Sequence, residues 1–91
     1  MNVTILGTKY EIGYVRLLEN DMAGKTDFIN KKIYIIDDPK QALDIVLKHE
    51  LMHAFFFEAG LLDYAKDEIL VDFLAVQFSK IEKMFKDGLA V

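Results

Sequence analysis

The chain predicts an α+β fold: a small, mostly antiparallel sheet of about three to four strands, packed against one helix near residues 39–59 and a second near 65–86. Two observations carry that expectation. Apolar residues recur at every second position through much of residues 2–36, the period of a half-buried strand, and at every third or fourth position from Ala42 onward, the period of a helix. Strand signals therefore come first and helix signals second. Ninety-one residues, 53% of them apolar, support one domain spanning 1–91 and not two.

The first strands rest on Val3 and Ile5, then Tyr10, Ile12 and Tyr14, each alternating with polar or small neighbours; Gly7-Thr8 between the two runs predicts a hairpin turn. "RLLENDMAGK", residues 16–25, mixes apolar and charged residues and reads as a loop or one irregular helical turn. In "TDFINKKIYII", Phe28-Ile29 and Ile33 to Ile36 flank Asn30-Lys31, a second hairpin signal rich in β-branched and aromatic residues. Asp38 then stands as the expected N-cap of the first helix, with Pro39 at its first turn, where the missing N–H costs nothing. Ala42, Ile45, Val46, His49, Met52, His53 and Phe56 share a helical period, and Gly60 supplies the stop. In the second helix Ile69, Leu70, Phe73, Leu74, Val76, Phe78, Ile81 and Phe85 cover more than one face, which predicts substantial burial.

Composition narrows the function. Eleven basic against 15 acidic residues, with no basic run longer than Lys31-Lys32, leave no electrostatic footprint for nucleic acid. The apolar stretches are far shorter than the roughly 18 residues a membrane span needs, and the N-terminus lacks the pattern of a signal peptide, so a cytoplasmic location is expected. With no cysteine, any metal must be held by nitrogen and oxygen.

"LKHELMHAFF", residues 47–56, contains both histidines of the chain. Four positions apart on a helix, His49 and His53 differ by about 40° in azimuth and 6 Å in height, so their imidazoles leave the same face. That spacing delivers two ligands to one zinc ion. Glu50 lies about 60° from His53, close enough to face a water activated by the metal and to take its proton as general base. The bland alternative, two packed imidazoles, has to explain the glutamate as coincidence. A third ligand must come from another element, since Glu58 points about 140° away from His53. The second helix offers Glu68 and Asp72 on one face of an otherwise apolar run. Glu68 is the leading candidate, ahead of Asp72 and of Asp63 or Asp67. With Glu68 as ligand, Asp72 one turn later can accept the N–H of a ligand histidine and orient it.

HELMH followed by Glu68-x-x-x-Asp72 on a second helix resembles the gluzincin branch of the HExxH zinc metallopeptidases. The order and spacing of "MAGKTDFINKKIYI", "HELMHAFFFEAGL" and "EILVDFLAVQF" is similar to that of small metallopeptidases encoded by phages and prophages of Gram-positive bacteria, related to the ImmA/IrrE group. The resemblance covers most of the chain but is sharp only at HExxH. It implies a minimal zincin-like fold, one Zn2+ per chain on His49, His53 and Glu68, catalysis by Glu50, support from Asp72, and a peptide or protein substrate. It further implies an edge strand beside the metal that pairs with extended peptide, for which Thr26 to Ile29 is the candidate. Both histidines are used as ligands, which leaves Tyr64, Tyr34, Arg16 or the metal itself to stabilise an oxyanion. The competing expectations are a zinc-stabilised binding or regulatory module that cuts nothing, and a metal-free protein in which HELMH is core packing.

Overall fold

The computed structural model describes residues 1–38 and 40–90. Four strands, β1 (Asn2–Ile5), β2 (Thr8–Val15), β3 (Gly24–Asp27) and β4 (Lys32–Ile36), precede three helices, α1 (Leu43–Glu58), α2 (Leu62–Ala65) and α3 (Glu68–Leu89). The α+β expectation holds, with the HELMH segment inside α1. Strand order is β1-β2-β4-β3, so β4 inserts between β2 and β3 and leaves β3 on an edge. The β1–β2 and β3–β4 pairings are antiparallel, while β2 and β4 run parallel with Ile12 opposite Ile33.

Turn chemistry moves several boundaries from where sequence places them. The first hairpin turns at Leu6-Gly7, one residue earlier than expected, because these two positions carry positive φ (47° and 87°), as a two-residue hairpin loop of this twist requires. Phe28 and Ile29 are not strand residues. The Asp27 carboxylate accepts the N–H groups of Ile29 and Asn30 at 3.1 and 3.0 Å, which folds Phe28 to Lys31 into the turn and leaves Ile29 exposed. The irregular turn expected within 16–25 is a single 3-10 turn at Glu19–Asp21.

The first helix begins at Leu43, later than the Asp38 cap predicts. Asp38 caps a preceding turn through Lys40 N–H (2.9 Å), and the expected role of Pro39 lies outside the described residues. The stop at Gly60 is as expected: with φ +78°, it lets Leu61 N–H reach Phe56 O (2.9 Å) and its own N–H reach Phe57 O (3.0 Å), the paired bonds of a Schellman cap. The second helix is split. Ala65 ends the short α2, and Asp67 caps α3 by accepting Leu70 N–H at 3.0 Å, so the long helix starts at Glu68 and runs to Leu89.

One face of the sheet packs against α1 through Ile5, Tyr10, Ile12, Ile33, Ile35 and Ala54, with Val3, Leu43, Val46, Leu47 and Leu51 around them. Helix α3 lies against α1 and α2, but only Val71 and Ala75 on it are buried. The expectation of a substantially buried second helix is therefore wrong. Ile69, Phe73, Val76, Phe78 and Phe85 are all exposed, because α1 and the short α2 together cover only one of its apolar faces. The phenylalanine run in α1 spreads around the helix. Phe57 stacks on Phe28 with centroids 4.4 Å apart, Phe56 lies 5.9 Å from the Tyr64 ring, and Phe55 is exposed.

Candidate metal centre

Three elements meet at the middle of α1. His49, Glu50 and His53 come from α1 itself, Thr26 from β3, and Glu68 and Asp72 from the first turns of α3. The Asp67 cap directs the start of α3, and with it Glu68, at the histidines. A cleft of about 710 Å³ opens over this group, walled by Gly24, Lys25 and Thr26 on one side and Ala65, Lys66 and Glu68 on the other.

The imidazoles are oriented from behind. His53 Nδ1 lies 2.6 Å from the Ala65 carbonyl, an acceptor, so Nδ1 carries the proton and Nε2 a lone pair. His49 Nδ1 faces Asp72 Oδ1 at 3.4 Å, which favours the same tautomer. The two Nε2 atoms then lie 3.0 Å from each other, with Glu68 Oε2 3.0 Å from His49 and Oε1 3.2 Å from His53. In these tautomers both Nε2 lone pairs and the Glu68 carboxylate converge on one point. Mutual separations of about 3.3 Å are the edges of a tetrahedron with ligand distances of about 2.0–2.1 Å, so this donor set fits a small divalent cation. His49, Glu50 and His53 each offer a ligand atom within 4.8 Å of the others, a group that could hold a metal ion on one helix.

Glu50 is buried beside this group, and its carboxylate is held from the sheet side. Thr26 Oγ1 lies 2.9 Å from Glu50 Oε1 and 3.1 Å from the Glu50 carbonyl, so the hydroxyl can donate to either. Burial pushes the Glu50 carboxyl above the ordinary carboxylate range; the Thr26 hydrogen bond and the imidazoles oppose that shift, and Glu68 reinforces it. Gly24 completes the contact. A Cβ there would stand 3.0 Å from Glu50 Cγ and 3.0 Å from Val46 Cγ1, so glycine lets β3 approach α1 without displacing either side chain.

Of the residues singled out from sequence, His49, Glu50, His53, Glu68 and Asp72 are brought together. Asp67 is engaged as the α3 cap, and Asp63 and Tyr64 do not line the cleft; the Tyr64 ring sits against Phe56. Glu58 is remote, accepting the Tyr10 hydroxyl at 2.6 Å and Lys31 Nζ at 2.8 Å. Thr26 and Gly24 escaped sequence reasoning as partners of Glu50. Their signal was a glycine two residues before a threonine at a strand start, which reads as turn punctuation until the helix opposite is known. The edge strand beside this group is β3, which spans Gly24–Asp27 where the sequence suggests Thr26 to Ile29. No helix among the described residues is long and apolar enough to cross a membrane. No family model, no curated protein and no solved structure matches the chain.

Proposed function

We propose that the chain is a zinc-dependent hydrolase acting on peptide bonds, with His49, His53 and Glu68 as metal ligands and Glu50 as general base. The observation that carries this reading is the convergence of two imidazole lone pairs and the Glu68 carboxylate within 3.0–3.2 Å, each imidazole turned by a partner on its other nitrogen. Zinc, when bound, supplies Lewis-acid activation of a water molecule and polarises the scissile carbonyl. The remaining steps belong to the chain. Ala65 O and Asp72 hold the imidazoles in the tautomer that presents Nε2. Thr26 holds the Glu50 carboxylate at the mouth of the cleft, where it takes a proton from the attacking water and returns it to the leaving amine. The edge of β3 offers main-chain groups to an extended substrate along the same cleft.

A second reading keeps the metal and drops the chemistry, making the site a clip between α1 and α3. It is favoured by the position of Tyr64, whose ring sits on Phe56 and leaves the cleft without that side chain to stabilise an oxyanion. Metal analysis and Glu50→Gln separate the readings. Purified protein is expected to hold about one zinc per chain; a metal-free chain that cannot be reloaded by dialysis against zinc overturns both readings. Glu50→Gln is expected to keep the zinc and lose peptide hydrolysis by at least about 100-fold. A variant that still cleaves removes Glu50 from its role, and a wild type that cleaves no member of a diverse peptide library supports the clip. Glu68→Ala is expected to weaken zinc binding more than Asp72→Asn, which should cost about 10–100-fold.

A further inference from the structure

The C-terminal half of α3 carries an apolar seam that the described residues of its own domain cover only in part, with Leu74 and Ile81 half-buried and the rest exposed. Asp72 meets His49 alone while Glu68 reaches both His49 and His53, so α3 runs antiparallel to α1, and equal rise along the two helices brings Phe78 level with the α1 start at Leu43. Beyond that point it continues to Leu89, about 16 Å further at the helical rise. Leu74, Phe78, Ile81 and Phe85 follow at steps of four, three and four, within an arc of about 60°. Phe78 is 46% exposed, Phe85 58% and Leu89 86%. Lys80, Lys83 and Asp87 lie on the opposite side, where Lys83 and Asp87 pair at 2.7 Å. The seam is thus free of basic residues and flanked by Glu82 on one side and Met84 on the other.

We infer that this seam pairs with the same seam of a second copy of the chain, forming a helix-mediated homodimer. A second copy is the occupant that the surface area and the residue spacing fit. The chain exposes 6554 Å², whereas a compact monomer of 10.5 kDa exposes about 5,400 Å². The excess of about 1,100 Å² matches the roughly 800 Å² that each partner covers in a stable interface of ordinary size. The radius of gyration, 14.1 Å against about 12 Å for a compact chain of this length, has the same origin in the projecting helix. Heptad spacing is filled by a helix of the same spacing, which a second copy supplies. An unsupported helical end of about three turns is only marginally stable in water, so pairing also accounts for a continuous α3. From Phe78 onward the seam lies past the α1 start, so the inference is independent of the zinc reading.

Light scattering during size exclusion of the full chain, loaded at about 5–200 µM, tests this. A concentration-dependent mass rising to a plateau near 21 kDa, twice the 10.5 kDa chain, is expected. Phe85→Glu should return the mass to 10.5 kDa with the near-ultraviolet tyrosine signal of the domain intact, whereas Lys83→Glu on the outer face should leave the dimer unchanged. A wild type that stays monomeric throughout assigns the seam to some other partner and overturns the inference. So does a dimer that survives Phe78→Glu combined with Phe85→Glu, or a mass that climbs without a plateau.

Discussion

Thr26 shows how much of this site depends on one residue outside the motif. Its hydroxyl is 2.9 Å from Glu50 Oε1, and its neighbour Gly24 leaves room for the Glu50 stem, so β3 positions the carboxylate from the side opposite the histidines. Thr26→Val keeps shape and strand propensity but removes the donor. On the proposed hydrolase reading it is expected to lower peptide hydrolysis by about 10–100-fold, with zinc content and KM little changed, because a misaimed base weakens only the proton transfer. A loss of zinc alongside activity would show that Thr26 serves the fold and not the base. The histidine pair was legible because a helix converts a spacing of four into a shared face, a purely local rule. Thr26 was not legible, since its meeting with Glu50 spans 24 positions and depends on which strand takes the edge.

At the level of elements, α3 carries Glu68 and Asp72 to the histidines, and the cap decides where that helix begins. Asp67 accepts Leu70 N–H at 3.0 Å, satisfying one of the open donors of the first turn that contains Glu68. Asp67→Ala is expected to cost about 1 kcal/mol of stability. On the proposed ligand set it should also weaken zinc binding, since fraying of that turn would release Glu68; competition with a chelator measures both the wild type and the variant. Unchanged affinity would mean that packing of Val71 and Ala75 alone places Glu68. Helix existence was legible from period, but both helix starts were misplaced. Asp38 and Asp67 are equally good caps in sequence. Only the second caps a long helix, because the first is spent on a turn before Leu43 and the chain between Ala65 and Asp67 must break to aim Glu68. The burial of α3 was misjudged for a related reason: its apolar residues lie on several faces, and sequence does not say how many neighbours will arrive.

Across the whole molecule, the α+β class followed from two non-overlapping periods, while the insertion of β4 between β2 and β3 is a long-range choice no local pattern encodes. One polar cluster ties that arrangement together far from the metal centre. Glu58 at the end of α1 accepts Tyr10 from β2 at 2.6 Å and Lys31 from the β3–β4 turn at 2.8 Å, joining helix, central strand and hairpin. Lys31 and Tyr10 hold the Glu58 carboxyl below its ordinary range, while burial and the Glu58 carboxylate push the Tyr10 hydroxyl up. A carboxylate with a depressed pKa in the folded state stabilises the fold at pH values above its unfolded pKa of about 4.3, and that contribution disappears as pH falls through the lower folded value. Glu58→Gln is therefore expected to melt about 4–8 °C lower than the wild type at pH 7, the shift that about 1 kcal/mol produces in a domain of this size. The two melting curves should converge as pH is lowered from about 5 toward 2, because protonation of Glu58 removes in the wild type what the substitution has already removed. Thermal melts of both proteins across that range decide the matter. A gap that stays constant with pH would show that Glu58 contributes through packing and not through its charge.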